Sequence, residues 1–371
     1  MMAQHSHALL PQSSCDQRGR EEFIAAMRRF ILTDLYPGNE IVYNQKLKPD
    51  FIKVNGREPS SAQEARRLMQ SSFFYNMFGF INRGTQELLW DTVGESVERQ
   101  INDLQTAAAK VAPAGGSLRL EPGFALPNYA RQVDIHVMPG SFHNELGADD
   151  LYAGALYDRG VYLYAYGSLG PDNDGLGHST TAFLQTNFPD LRPKRVLELG
   201  CGIGTATLPL ATAFPDAVIF AVDIAAPMLR YGHARAEAYG VPIHFSQQNA
   251  EHTDFPDGSF DLVVSNLLLH EIPQASSKRI LAESFRLLRA GGLSLHNDMV
   301  GWPTDPFQVV MAEWNVFNNN EPFERGSGTL PWRDVCVEAG FAADDLFVKP
   351  MTAAYMQEQL SFVGFRGALK Q

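Results

Sequence analysis

Three glycines spaced two apart, Gly200, Gly202 and Gly204, follow directly on the strand-like run Arg195 to Leu199, with the acid Glu198 just ahead of them. Glycine lets the backbone turn sharply and approach a ligand with no Cβ in the way. The chain then enters an apolar, helix-like run from Thr205 to Phe214. Strand, turn and helix make the first half of a Rossmann-type unit, a cradle for a nucleotide. Asp223 closes the next strand 19 residues after Gly204, close to the spacing at which an acid meets ribose hydroxyls. Its two oxygens suit a bidentate contact to such a pair.

Proton transfer needs a group that titrates near neutrality, and the histidines carry that chemistry. His270 stands five residues beyond Ser265, at the C-terminal edge of the fourth strand of the α/β part, where ligands bind in open sheets. His296, with Asn297 and Asp298, ends the fifth strand on the same edge, and His136 and His143 lie upstream. Each of these histidines could equally be a packed or hydrogen-bonded structural residue. Nothing in their spacing requires a metal, and none is expected.

The elements that must position these groups divide the chain in three. Residues 1–115 are mostly helical: Phe23, Ile24, Met27, Phe30, Ile31 and Leu35 recur at helical spacing. Ser61 with Glu64 opens a second helix in a capping-box pattern running on to Phe80, and a third spans Thr85 to Leu104. Ala107 to Ser117, with Pro113, Gly115 and Gly116, reads as a linker. Residues 116–180 form a connecting segment rich in tyrosine and glycine, Tyr157 and Tyr162 among them.

Residues 181–371 alternate strands and helices, which signals a mostly parallel α/β sheet. Strands are expected at Arg195 to Leu199, Val218 to Val222, Ile243 to Gln247, Leu262 to Ser265 and Leu293 to Asn297, with a terminal antiparallel pair at Asp345 to Lys349 and Ser361 to Ala368. Between about 300 and 332, Trp302, Trp314 and Trp332 interleave with phenylalanines. This aromatic insert could cover the ligand site, and a local cluster or a homodimer contact would explain it as well.

The net charge of -12 and a pI near 5.3 argue against nucleic acid as the main partner. Cys15, Cys201 and Cys336 lie far apart without a CxxC pair, which fits a reducing cytoplasm and no structural zinc. No run approaches the roughly 20 apolar residues needed to cross a bilayer, and no signal peptide is expected.

The glycines fail the dinucleotide register, because Thr205 and Thr207 occupy the third site in the two available frames, and no P-loop lysine follows. What stands is Glu-x-Gly-x-Gly-x-Gly, and here the sequence resembles the class I S-adenosylmethionine-dependent methyltransferases, in particular their small-molecule branch. The resemblance covers roughly the last half of the chain. It implies a seven-stranded Rossmann-like sheet with an antiparallel terminal strand, S-adenosylmethionine as cofactor, and a small-molecule acceptor in specialised metabolism. Glu198, Gly200, Gly202, Gly204 and Asp223 would hold the cofactor, Ile224 and Met228 would flank its adenine, and Tyr157 would wrap its methionine end.

Asn249-Ala250-Glu251 stands where the family usually has Asp-Ala-Glu, so an asparagine carbonyl would accept from the adenine amino group. Ser265-Asn266-Leu267 would pass near the reacting methyl, with His270, His296 and His143 as candidate bases. Ser265-Asn266-Leu267-Leu268 lacks the prolines and aromatic expected for methylation of a DNA amino group. A fold relative that binds the same cofactor for decarboxylation, hydroxylation or cyclisation is the alternative.

Overall fold

The computed structural model describes residues 3–350 and 363–371. Five helices precede the sheet: α1 (Cys15–Phe30), α2 (Tyr36–Val42), α3 (Lys48–Asn55), α4 (Ala62–Gln70) and α5 (Phe73–Lys110). Ser61 caps α4 as its spacing predicts, its hydroxyl accepting from Glu64 N at 3.3 Å. The helix stops at Ser71 and Ser72, and Ser72 caps a new one. From there a single 38-residue helix runs through the break expected near residue 85, since no proline interrupts it.

A short strand, β1 (Ser117–Arg119), follows where the sequence reads as linker and connection. It pairs in parallel with His244 to Ser246. Gly116 makes this approach feasible, because a Cβ there would lie 2.5 Å from the Ile243 carbonyl oxygen. Helices α6 (Tyr152–Tyr164) and α7 (Gly175–Asn187) then lead into the alternating part.

That part runs β2 (Arg195–Leu199), α8 (Thr207–Ala213), β3 (Val218–Asp223), α9 (Ala226–Ala238), β4 (His244–Gln247), β5 (Phe260–Asn266), α10 (Gln274–Leu287) and β6 (Leu288–Met299). The aromatic insert supplies α11 (Pro306–Asn318) and α12 (Glu324–Gly328), and α13 (Trp332–Ala339) precedes β7 (Leu346–Pro350) and β8 (Val363–Leu369). The eight strands lie in the order β1-β4-β3-β2-β5-β6-β8-β7. β1 is the strand beyond the expected seven. β8 pairs antiparallel with both β6 and β7, as expected; Ser361 and Phe362, the start of the expected last strand, lie outside the described residues.

The helical part is built into the α/β part. One apolar cluster joins Ile24, Leu89, Trp90, Val93 and Leu156 to Ile203, Met228 and Tyr231, and another seats Phe307, Val310 and Met311 of α11 among Ile31, Met69 and Phe78. The helices therefore roof the C-terminal edge of the sheet. Burying these side chains contributes on the order of 2 kcal/mol each, so the roof is held firmly over the site.

Candidate active site

The turn after β2 holds Gly200, Gly202 and Gly204 at φ of +68°, +52° and +75°, all in the left-handed region that only glycine enters freely. Gly200 N and Cys201 N both donate to the Val222 carbonyl, at 2.8 and 3.0 Å. Asp223 completes the cradle: one carboxylate oxygen accepts from Gly202 N and the other from Ala225 N, each at 2.9 Å. Burial pushes its pKa up, and those backbone N–H groups oppose the rise.

Glu198 is buried at the end of β2. One of its oxygens accepts from Asn266 Nδ2 at 2.9 Å and the other from the Thr207 hydroxyl at the start of α8. Burial raises its pKa to about 7 against these two bonds. The strand-end acid thus braces the helix N-terminus from the cradle wall.

A cavity of about 280 Å³ runs from this turn to the roof. Its floor includes Glu198, Gly200, Gly202, Asp223, Ile224 and Met228, and its upper wall carries Trp90, Phe142, His143, Tyr157 and Tyr164. His270 and Glu271 close one side and His136 another. Most of the residues named from sequence therefore meet in one space.

Five stand off its wall. Gly204 has its missing Cβ aimed at Phe245, 3.0 Å away. The side-chain Oδ1 of Asn249 accepts from Glu251 N at 2.9 Å, closing the turn after β4, and Ala250 is buried in the same core cluster as Phe260. Ser265 and His296 are register partners on β5 and β6 and bond to each other at 2.8 Å; Ser294 Oγ holds the other ring nitrogen at 2.9 Å. Burial lowers the His296 pKa to about 4, and its ring packs against Trp332.

The reason is the two-residue period of a strand. Ser265 faces inward, so its neighbour Asn266 reaches the cavity, where it bonds Glu198 and accepts from Thr180 Oγ1 at 2.7 Å.

Glu271, next to His270 on the cavity wall, is the acid that ties the histidines together. Its Oε1 lies 3.3 Å from His136 Nε2 and 3.5 Å from His270 Nε2, and its Oε2 is buried without a hydrogen-bond partner. Behind it, His270 Nδ1 meets Asp298 Oδ1 at 2.9 Å, and His136 Nδ1 meets Glu321 Oε1 at 3.0 Å. Burial disfavours charge on both imidazoles, but Glu321 and Glu271 around His136, and Asp298 and Glu271 around His270, outweigh it and hold both well above the ordinary histidine value. Burial likewise opposes ionisation of Glu271, and the two imidazoles reverse the sign and hold it low.

His136 itself sits at φ +56°, followed by Val137 at +61°, a conformation non-glycine residues adopt at a cost. Gln86 and Trp90 of α5 fix it there by donating to its carbonyl at 2.6 and 2.8 Å. His143 differs from these two: burial lowers its pKa, and it lines the same cavity as a neutral ring. No periodicity marks His136 or Glu321, which lie in irregular segments.

Residues 196–292, from β2 to the start of β6, match the family described as "Methyltransferase domain". The chain belongs to the class I S-adenosylmethionine-dependent methyltransferases. An uncharacterised Haemophilus influenzae protein is 30% identical over 196 residues, covering 52% of this chain and 76% of that one. The demethylmenaquinone methyltransferase of Thermus thermophilus is 36% identical over 27% of this chain and 44% of its own length. The trans-aconitate 2-methyltransferase of Deinococcus radiodurans is 37% identical over 30% and 40%. The chain thus spans less than half the length of these two named relatives. Among solved structures, the Haemonchus contortus phosphoethanolamine N-methyltransferase 2 in complex with S-adenosyl-L-methionine is 18% identical, with a TM-score of 0.43 over 57% of each chain.

The cofactor of this methyltransferase family is S-adenosylmethionine, and the cradle fits it. A Cβ at Gly202 would meet only Met228 Cε, at 3.6 Å, so the glycine leaves open space above the turn. Each Asp223 oxygen holds a single backbone N–H and keeps acceptor capacity for a ribose hydroxyl. Ile224 and Met228 supply an apolar surface beside it for a purine ring.

Proposed function

We propose that this methyltransferase moves a methyl group in line from S-adenosylmethionine to a hydroxyl or amino group of a small, largely apolar acceptor held under the helical roof. The observation that carries the reading is the continuity of one cavity from the glycine turn to Glu271, whose Oε2 lacks a partner. Bound S-adenosylmethionine supplies a methyl group already activated by its sulfonium charge.

The chain's own residues do the rest. His136 and His270 keep Glu271 anionic, and an acceptor O–H or N–H donates to its free oxygen, which fixes the direction of the nucleophile's lone pair. The carboxylate also favours the positive charge that grows on a neutral nucleophile as it is alkylated. A proton must then leave: the second N–H proton of an amino acceptor can go to His143, the cavity imidazole that burial keeps neutral, whereas the single proton of a hydroxyl acceptor passes to Glu271, which already accepts it. Trp90, Phe142, Tyr157 and Tyr164 exclude water.

The test is transfer of labelled methyl from S-adenosylmethionine to a panel of phenols and amines. The reading requires label in a small-molecule product together with stoichiometric S-adenosylhomocysteine. Cofactor that binds and is never converted, whichever phenol or amine is offered, counts against it and favours a non-methylating fold relative.

A further inference from the structure

A second cavity, of about 270 Å³, lies where α1, α5 and α11 meet the segment after β6. Tyr164 lines both cavities. Its hydroxyl meets Asn319 Nδ2 at 3.1 Å, and its ring centroid is 5.5 Å from that of His136. The Arg28 guanidinium lies over the same ring, 4.2 Å from its centroid.

Arg28 is 5% exposed. Its Nε donates to the Tyr164 carbonyl at 3.1 Å and its Nη1 to Asn82 Oδ1 at 2.9 Å, both neutral acceptors. Among the described residues no carboxylate pairs with it, and Nη2 has no hydrogen-bond partner. A buried guanidinium without a counter-ion is costly, because water has been removed and no opposite charge replaces it. Trp302 Nε1, on another wall of this cavity, is a second buried donor with no partner. Tyr36, Trp302 and Trp314 give the space flat aromatic sides. Donors without acceptors, a cation without an anion and stacking surfaces together define what is missing.

We propose that the second cavity binds a small aromatic carboxylic acid, with its carboxylate on Arg28 and Trp302 Nε1 and its ring among Tyr36, Trp302 and Trp314. A monocarboxylate fits better than a dianionic phosphate. Glu324 lines the cavity, and the more negative the ligand, the more firmly this carboxyl must hold its proton. Glu324 itself is compatible with one anion: burial, and then Glu321, raise its pKa, so it retains its proton more readily than an ordinary carboxylate. The site does not depend on the methyl-transfer reading, since none of its polar groups touches the glycine turn.

The test is calorimetric titration of the full chain with benzoate and with its neutral isostere benzamide, each with and without S-adenosylhomocysteine. The expected result is one benzoate site at least about tenfold tighter than for benzamide, as a charge-assisted contact implies, and not displaced by S-adenosylhomocysteine. Arg28→Gln should bring the two ligands to about equal affinity. Trp302→Phe, which keeps a ring wall and deletes one donor, should weaken benzoate severalfold, and it carries the test if the Arg28 variant does not fold. Equal affinity of the wild-type chain for benzoate and benzamide overturns the proposal, as does displacement of benzoate by S-adenosylhomocysteine or a Trp302→Phe variant with undiminished benzoate affinity. Benzoate binding in a chain that fails to bind S-adenosylhomocysteine would sink the methyl-transfer reading and leave this site standing.

Discussion

Glu271 Oε1 lies 3.3 Å from His136 Nε2 and 3.5 Å from His270 Nε2, so a single carboxylate oxygen serves two imidazoles that come from opposite sides of the cavity. One charge therefore adds to the protonation of both rings, beside Glu321 at His136 and Asp298 at His270. Glu271→Gln should lower both histidine pKa values, each by about one unit or more, in an NMR titration of the ring C–H signals. If neither resonance titrates differently from the wild type, the clamp has no electrostatic role. Methyl transfer in the same variant should fall by roughly 10- to 100-fold, with S-adenosylhomocysteine affinity retained.

His143 is assigned the second proton of an amino acceptor because burial keeps it neutral, whereas His136 and His270 are held charged. His143→Phe should therefore remove the acid limb of the pH–rate profile, which in the wild type should lie below the ordinary histidine value near 6.5. A limb that persists unchanged in the variant would move the role to another group.

His296 governs stability in acid. Its folded pKa of about 4 lies below the unfolded value of 6.5, so the unfolded chain binds the extra proton first. The stabilising effect is complete above pH 6.5 and is lost as the pH falls toward 4. His296→Gln should lose about 3 kcal/mol less than the wild type across that window, measured by urea unfolding at each pH. Parallel curves for the two proteins would contradict the neutral, buried ring.

The glycine turn separates two costs. At Gly200 a Cβ would meet Leu268 Cδ1 at 2.6 Å and the backbone is at φ +68°, whereas at Gly202 only the positive φ of +52° opposes a side chain. Gly202→Ala should destabilise by about 1–2 kcal/mol, and Gly200→Ala by clearly more, in denaturant unfolding. A larger loss at Gly202 would refute this reading of the turn.

These residues also mark what sequence could and could not show. Gly200, Gly202 and Asp223 were legible because a strand, a tight turn and a second strand place them within 24 residues. Ser265-Asn266-Leu267 was legible as a segment and not side chain by side chain: a strand buried on both faces conceals which of its residues turns to the cavity, and here that is Asn266 rather than Ser265. β1 escaped because three residues after a glycine pair carry no periodic signal, and its partner strand, not its own propensity, forms it. His136, Glu271 and Glu321 are brought together by loops and by the insert, over separations that local spacing cannot encode.

The cofactor cradle is the centre of this account, and calorimetric titration with S-adenosylhomocysteine tests it most directly. The wild-type chain should bind one equivalent, and Asp223→Ala, which removes the acceptor proposed for the ribose and unties Gly202, should weaken binding by about 100-fold or more. Absence of binding by the wild type, or equal affinity in the two proteins, would contradict it.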